Sequence, residues 1–323
     1  MGTLKLQLQL FDAHCHLQDG RIGQVASQLI QTAANVGVRR FVVNGTNEED
    51  WELVKQMGET HSSVIPCFGL HPWFVGKCSS NWLTVLRGFF ETVPSAAVGE
   101  IGLDKGCAQG KAVDFITQTQ VFKQQLELAR QLQRPASVHC VSAFADLQEI
   151  LREMGPFPAG IILHSYMGSS EMVQTLAKFG AYFSFSGFLT SMKPQKAKRI
   201  LQAVPTDRIL LETDAPDALP HVNPGSLVWV PGDPTVPEEL QKQLEDQLTS
   251  DRVSAEPSSS IHEGITKKGG DLSFPKKALN HPANIYSVLQ YVSSLLEISE
   301  EELAQISYKN TIRLFSYPGS KLC

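Results

Sequence analysis

Two histidines separated by one residue, His14 and His16, follow the first hydrophobic stretch of the chain. In a β-strand, residues i and i+2 project from the same face, so these two imidazoles point one way and Cys15 points the other way. Two neutral imidazoles on one side are a starting pair of ligands for a divalent metal ion. The spacing therefore predicts that the first strand carries part of a metal site.

Four further residues of metal-binding type occur at the ends of later predicted strands. They are Glu100, His139, His164 and Asp214. Together with the histidine pair they make six ligands, which is more than one tetrahedral ion accepts. We expect Glu100 to bridge two divalent ions about 3.5–4 Å apart. One ion is then completed by His14, His16 and Asp214. The other is completed by His139 and His164.

These residues belong to a regular alternation of strand and helix patterns. Short apolar, β-rich segments recur eight times between residues 5 and 213, separated by helical patterns. Eight such units are typical of a parallel sheet that closes as a (β/α)8 TIM barrel. The runner-up is an open doubly wound sheet, but no Gly-x-Gly-x-x-Gly motif follows the first strand. All six predicted ligands lie at carboxyl ends of strands, where barrel enzymes place their active sites.

The pattern changes after strand eight. Nine of the 18 prolines lie between Pro216 and Pro282. We expect residues 217–279 to form a flexible, Pro-rich insertion with a short amphipathic helix near 238–248, inside a single barrel domain spanning 1–323. Helical periodicity resumes near the end of the chain, where Ser299 and Glu302 form a capping box that predicts the start of the last helix.

The composition is that of an ordinary globular chain. The 323 residues are 42% hydrophobic and 19% charged, and 28 basic against 33 acidic side chains give a net charge of −5. This balance argues against a generally basic nucleic-acid coat, but not against a nuclease whose metal ions supply positive charge. The apolar runs are shorter than the roughly 18 residues of a membrane span. Six cysteines without paired spacing indicate free thiols. We expect a cytoplasmic protein, with entry into the nucleus left open.

Six segments, in this order, resemble the TatD-type metal-dependent deoxyribonucleases. They are 11–17 (FDAHCHL), 69–73 (GLHPW), 98–104 (VGEIGLD), His139, 163–165 (LHS) and 210–216 (LLETDAP). The resemblance implies a barrel of the amidohydrolase-like superfamily, a two-metal site and hydrolysis of DNA. In that family the His-x-His pair, the glutamate of VGEIGLD, two single histidines and the aspartate of ETDAP are the metal ligands. These positions correspond to the six residues already selected.

Residues near the predicted ligands have expected roles as well. His71, in the GLHPW motif, resembles the rim histidine of the family and is expected to contact the scissile phosphate. Asp104 and Glu212 are candidates for orienting ligand imidazoles through hydrogen bonds. Trp73 and Phe74 are candidates for stacking on an unpaired base, although aromatic residues after a strand more often pack in the core.

The chain departs from the family pattern in two places. The Pro-rich insertion is longer than the usual connection after strand eight. Residues 280–284 read NHPAN, where the family commonly has Asn-Glu-Pro. His281 therefore stands in the place of the usual glutamate. We expect the substrate-binding edge of the barrel near this residue to differ from that of the family.

The predicted activity is hydrolysis of DNA by water activated at two divalent metal ions, which are Mg, Mn or Zn. Asp214 is the expected general base, and Glu100 and His71 complete the expected catalytic residues. We expect a DNA substrate with single-stranded or end character, no membrane and no organic cofactor. Two alternatives stay open: a cyclic-amide or lactone hydrolase on the same barrel, and a catalytically silent binding protein. Exonuclease and endonuclease action are both compatible with these residues.

Overall fold

Eight parallel strands form one sheet in the order β1 to β8, each pairing with the next along the chain. The computed structural model of the protein describes residues 8–237, 240–241 and 277–322. The strands are β1 Leu10–Cys15, β2 Val38–Asn44, β3 Val64–Phe68, β4 Ala97–Asp104, β5 Ala136–Val141, β6 Ile161–Leu163, β7 Ala181–Phe185 and β8 Ile209–Leu211.

Strands β1 and β8 meet, so that the sheet curves into a nearly closed barrel. The backbone N–H of Asp214 donates to the carbonyl oxygen of His14 at 2.9 Å. Beside this contact, the buried carboxylate of Asp12 accepts hydrogen bonds from the N–H and the hydroxyl of Thr213, at 2.8 and 2.5 Å. These bonds place the residues that follow β8 next to the histidine pair of β1.

Helices cover the outer face of the sheet. They are α1 Ala26–Asn35, α2 Trp51–Thr60, α3 Trp82–Thr92, α4 Ala108–Lys111, α5 Phe115–Leu132, α6 Phe144–Met154, α7 Ser170–Lys178, α8 Pro194–Ala203, α9 Ile285–Leu296 and α10 Glu300–Phe315. Strands β1, β3, β4, β6, β7 and β8 are buried along their whole length. Continuous burial is expected for parallel strands that helices cover on one side and the packed barrel interior covers on the other.

The predicted (β/α)8 TIM barrel is confirmed. Strand β4 continues past Glu100 to Asp104. Gly99 has φ +152°, and a Cβ there would lie 2.6 Å from Oδ1 of Asn44. Only glycine allows β4 to pass this close to β2. At the end of the chain, Ser299 Oγ accepts from the N–H of Glu302 at 3.1 Å, as the capping box predicts.

Only part of the predicted insertion, 217–279, belongs to the described residues. The remainder, with most of the amphipathic helix predicted near 238–248, lies outside them, and the domain boundaries therefore stay predictions. Among the described residues, no helix is long and apolar enough to cross a membrane.

In the described part of the insertion, Val230 packs in the main hydrophobic core. Leu227, Trp229 and their apolar neighbours form a small buried cluster of their own. The carboxylate of Asp233 accepts from the N–H of Leu279 at 2.7 Å, and its carbonyl oxygen accepts from the side-chain amide of Gln241 at 2.8 Å. The two described ends of the segment therefore meet at Asp233.

Candidate metal centre

Glu100 is buried at the carboxyl-terminal mouth of the barrel, and its two carboxylate oxygens face different pairs of histidines. Oε2 lies 3.1 Å from Nε2 of His16 and 3.5 Å from Nε2 of His14. Oε1 lies 3.0 Å from Nδ1 of His139 and 2.9 Å from Nε2 of His164. A carboxylate that bridges two metal ions needs this division, with one oxygen available to each ion.

Asp214 lies on the same side of Glu100 as the histidine pair of β1. Its Oδ1 is 3.8 Å from Nε2 of His14 and 3.7 Å from Nε2 of His16. The backbone of Asp214 has φ +54°, a left-handed conformation that aspartate tolerates better than most residues and that occurs often at functional sites. This turn directs the carboxylate towards the mouth of the barrel just after β8.

Hydrogen bonds on the side of His14 and His16 that faces away from Glu100 determine which ring nitrogen faces Glu100. Nδ1 of His16 contacts the carbonyl oxygen of Asn44 at 2.8 Å, and a carbonyl oxygen only accepts. Neutral His16 therefore carries its proton on Nδ1 and presents the lone pair of Nε2 to the centre. His14 is held similarly, with Nδ1 2.8 Å from Oγ of Ser137 and Nε2 3.1 Å from Nε2 of His16. Imidazole nitrogens converging beside two carboxylates form a donor set that fits a divalent cation.

Carboxylates also lie behind the other two imidazoles. Nε2 of His139 lies 3.3 Å from Oδ2 of Asp104, which leaves its Nδ1 facing Glu100. Nδ1 of His164 lies 3.6 Å from Oε1 of Glu212, which is longer than a hydrogen bond. Asp104 is thus within hydrogen-bonding distance of His139, whereas Glu212 lies beside His164 without a hydrogen bond between them.

The structure brings His71 directly against Glu100. Nε2 of His71 is 3.4 Å from Oε1 of Glu100, and its ring centroid is 4.4 Å from that of His139. Nδ1 accepts a hydrogen bond from the backbone N–H of Trp73 at 3.2 Å. Neutral His71 therefore carries its proton on Nε2, from which it can donate a hydrogen bond.

Three groups of side chains have donor atoms within 4.8 Å of one another and could hold a metal ion. They are His14, His16 and Asp214; His14, Glu100 and His164; and His71, Glu100 and His139. The six predicted ligands are therefore brought together in the described part of the chain, and His71 joins them.

Burial and neighbouring charges shift the pKa values of these groups. Burial and the adjacent His164 lower the pKa of His14 to about 4. Burial opposes protonation of His16, but the carboxylates of Glu100 and Asp214 outweigh it and raise the pKa to about 9. Burial also raises the pKa of Asp214 to about 7. Without a metal ion, the centre thus retains protons that a bound cation must displace.

Trp73 and Phe74 line the cavity above the centre but are held by other contacts. The indole Nε1 of Trp73 donates to Oδ2 of Asp104 at 2.6 Å, and the ring packs edge-on against His71. Phe74 is partly buried and packs against the hydrophobic core. These contacts favour packing over the base-stacking role considered for the two residues.

His281, which stands where the family commonly has glutamate, does not line the cavity. Its Nδ1 accepts from the N–H of Ala283 at 2.9 Å and caps the short turn Pro282–Asn284. Burial lowers the pKa of His281 to about 3, so the ring is neutral at physiological pH. This histidine is a structural cap.

Above the metal centre lies a cavity of about 920 Å³. Arg21 is the only arginine or lysine among the described residues that line it. Its guanidinium is paired with the carboxylates of Asp19 and Asp217, both at 2.8 Å. Another part of the wall is apolar and includes Met167 and Phe188.

Sequence reasoning missed several residues that support the centre. Ser137 precedes His139 by two positions in β5, so the strand period offered a signal that both side chains share a face. Asn44 contributes its backbone carbonyl, which no residue type reveals. Ser165 donates to Oε1 of Glu212 from its N–H and its hydroxyl, at 2.6 and 2.8 Å, and only the fold brings these two residues together.

The barrel and its carboxylate-centred cluster of imidazoles define a class, the metal-dependent hydrolases built on a (β/α)8 barrel. The comparison with protein families is more specific. A family model described as TatD related DNase matches residues 11–316. The chain belongs to the TatD-related DNase family, which confirms the family and the enzyme class predicted from the motifs.

Individual relatives agree with this assignment. A protein of Bacillus subtilis described as an uncharacterized metal-dependent hydrolase, YabD, is 31% identical over 212 residues, which cover 66% of this chain and 82% of that protein. The 3′-5′ ssDNA/RNA exonuclease TatD of a Pantoea species is 29% identical over 214 residues, covering 66% and 81%. The crystal structure of YjjV, a TatD homologue from Escherichia coli, matches 97% of this chain and all of its own, with a TM-score of 0.74 and 23% identity. The last comparison supports the fold.

Proposed function

We propose that this protein is a two-metal nuclease that removes nucleotides from the end of single-stranded DNA. The observation that carries the proposal is the position of Glu100, whose two oxygens each face a separate pair of imidazoles within 3.5 Å. Two-metal sites of this kind are common in enzymes that hydrolyse phosphodiesters. Relatives named 3′-5′ ssDNA/RNA exonucleases support nucleic acid as the substrate class and attack from an end.

The residues divide into two sets of ligands. His14, His16 and Asp214 would hold one ion, and His139 and His164 the other, with Glu100 between them. When bound, divalent ions lower the pKa of a water molecule and stabilise negative charge on phosphate oxygens. Four imidazoles among the six ligands favour a transition metal such as zinc over magnesium.

Two further groups act on the substrate directly. Asp214 accepts the proton of the attacking water as the new oxygen–phosphorus bond forms and the bond to the leaving oxygen breaks. A carboxylate beside the attacking water can act as a general base near neutral pH. His71 presents the proton of Nε2 beside Oε1 of Glu100 and donates it in a hydrogen bond to a phosphate oxygen.

The shape and charge of the cavity favour a chain end over a duplex. Its volume of about 920 Å³ lies at the upper end of the range for small-ligand pockets, about 300–1,000 Å³. Duplex-binding surfaces instead present many cations to the phosphates. Arg21 is the one arginine or lysine among the described lining residues, and two carboxylates already pair with it.

The oxidation state of the cysteines indicates the kind of cellular compartment. Five cysteines in the described part of the chain are free thiols. Since disulfides are rare in reducing compartments, we place the enzyme in the cytoplasm or the nucleus.

The test is a nuclease assay on protein stripped of metal by a chelator and then supplied with Mg²⁺, Mn²⁺ or Zn²⁺. We expect no hydrolysis without metal and stepwise shortening of a linear single strand with it, while a circular single strand of the same sequence stays intact. Activity without metal would contradict the two-ion site. Equal cleavage of the circular strand would contradict attack from an end. Glu100→Gln, purified in parallel, controls for contaminating nucleases.

A further inference from the structure

Two exposed apolar side chains, Met167 and Phe188, lie on the wall of the cavity above the metal centre. Their exposed fractions are 37% and 43%. The other large apolar residues that are exposed in the described chain are Val36, Leu53 and Ile116, and none of them lines the cavity. Exposed apolar surface inside a cleft is unfavourable in water and often marks a binding surface.

The two side chains come from neighbouring loops of the barrel. Met167 follows β6, and Phe188 belongs to the short helical turn Gly187–Ser191 after β7. Oγ of Ser165 lies 2.6 Å from Oγ of Ser186, which in turn accepts from the N–H of Phe188 at 3.4 Å. Since Ser165 is adjacent in sequence to His164, these bonds tie the position of Phe188 to the metal centre.

The turn that carries Phe188 is also held from the side of β8. Oγ1 of Thr190 donates to the carbonyl oxygen of Gly187 at 2.6 Å and accepts from the N–H of His221 at 2.7 Å. Gly187 packs so closely on Ala218 that a Cβ there would collide with the Ala218 carbonyl oxygen. The backbone is therefore fixed on both sides while the ring remains exposed, which is the condition for a preorganised contact.

The charged side chains on the described wall of the cavity attract phosphates only weakly, so apolar contacts can contribute to substrate affinity. The guanidinium of Arg21 is already paired with Asp19 and Asp217, so the described wall offers phosphates little attraction from side-chain cations. On the described wall, a strand end bound at the metal centre can gain further affinity through its bases. Every base has a π-face, and stacking on an aromatic ring does not depend on sequence.

We propose that Phe188, assisted by the thioether of Met167, stacks on the nucleobase at the end of the strand. This inference rests on the proposed nuclease function and names the part of the substrate that gives it single-strand specificity. A base inside a duplex is already stacked and paired, so it cannot present its face to Phe188 without being unpaired at a cost. Phe188 and Met167 therefore favour strand ends whose bases are unpaired and unstacked.

The test compares two single-stranded oligonucleotides that differ only in whether the terminal nucleotide carries a base or is abasic. We expect the metal-loaded wild-type enzyme to prefer the base-bearing end in kcat/KM by about 5-fold to 100-fold, the range set by base–aromatic stacking. Phe188→Ala and Phe188→Leu should abolish the preference, whereas Phe188→Trp should retain it. Ile116→Ala, an exposed apolar residue outside the cavity, should behave as wild type. Metal content per chain should be the same in all variants.

The outcomes separate this inference from the function on which it rests. A wild-type enzyme that hydrolyses both oligonucleotides equally would overturn the stacking role and leave the nuclease intact. The same conclusion would follow if Phe188→Leu, folded and loaded with metal, kept the preference. A wild-type protein that hydrolyses neither oligonucleotide with any metal would overturn the proposed function, and the stacking role with it.

Discussion

The imidazole rings of His14 and His164 lie face to face, with their centroids 4.0 Å apart and their planes 11° from parallel. Two cationic rings at this distance repel each other, so the pKa of one ring is lowered while that of the other is raised. Burial and the charge of His164 lower the pKa of His14 to about 4. Burial opposes protonation of His164 as well, but the carboxylates of Glu100 and Glu212 outweigh it and raise that pKa well above its usual value. In the absence of metal, the pair therefore holds one proton, on His164.

This proton, and the one on His16, make metal affinity depend on pH. His16 has a pKa of about 9 without metal, and an imidazole must lose its proton to bind a cation through that nitrogen. The apparent dissociation constant for metal should therefore fall by about tenfold per pH unit for each displaced proton as the pH rises from 6 towards 9. Calorimetric titration in two buffers of different ionisation enthalpy counts the protons released. Binding that is independent of pH and releases no protons would contradict this assignment.

Substitution of the central carboxylate should affect both ions. In Glu100→Gln the amide carries no charge and binds divalent cations weakly, so we expect metal content to fall well below that of the wild type at both positions. In His139→Asn, which alters the contacts of only one carboxylate oxygen, we expect loss of one ion. Elemental analysis of metal per chain distinguishes the two variants, and thermal unfolding shows whether each is folded. Equal metal loss in both would remove the support for a bridge.

Asp214 should matter for turnover more than for substrate binding. Asp214→Asn keeps an oxygen for weak coordination but removes the basic group, which should lower kcat by ~10²–10⁴-fold at saturating metal. The wild-type rate should fall at acidic pH as the base becomes protonated, and the variant should lack this acidic limb. The control is Asp207→Asn, an exposed carboxylate outside the cavity, which should stay close to wild type. Retention of more than half the wild-type kcat would exclude Asp214 as the base.

His281 should make the stability of the fold sensitive to acid. Its pKa is about 3 in the folded protein against 6.5 in the unfolded chain, so below pH 6.5 only the unfolded state takes up the proton. The free energy of unfolding should therefore decrease as the pH falls, by up to about 1.4 kcal/mol per pH unit between these two values. Between pH 7 and 5, the wild type should lose about 2 kcal/mol more than His281→Asn, which retains a cap acceptor.

Urea denaturation of chelated protein measures this difference, because the other histidines titrate equally in both chains. Parallel pH profiles for wild type and His281→Asn would show that His281 is not a buried neutral ring.

Shortening of the Pro-rich insertion should leave the barrel folded. Residues 242–276 lie outside the described residues, and their composition predicts little core burial. Asp233 holds the described ends together through Gln241 and Leu279, so a short Gly/Ser linker can join them. We expect the melting temperature of this deletion to change by only a few degrees. Asp233→Ala, at full length, should lower it more. Loss of the cooperative thermal transition on deletion would show that the segment contributes to the core.

The alternation of strands and helices, the His14–His16 pair and the strand-end positions of Glu100 and Asp214 were readable from the sequence. These features depend on local periodicity and on the rule that parallel strands bring their carboxyl ends to one edge, and neither requires knowledge of distant contacts. The strand-end positions of His139 and His164 were readable in the same way, and the family motifs selected the same six residues. Six candidate ligands could therefore be selected before the structure was considered.

Only the tertiary structure decided how these residues divide and what surrounds them. Which oxygen of Glu100 faces which imidazoles, and which nitrogen of His16 faces the centre, depend on contacts between strands distant in sequence. Phe188 was missed for the same reason, because its exposure within the cavity follows from bonds that join three different loops. Trp73 has the more suggestive position in the sequence, but its indole is already occupied by Asp104. Side-chain orientation depends on the neighbours that the fold supplies, and those neighbours do not appear in local sequence patterns.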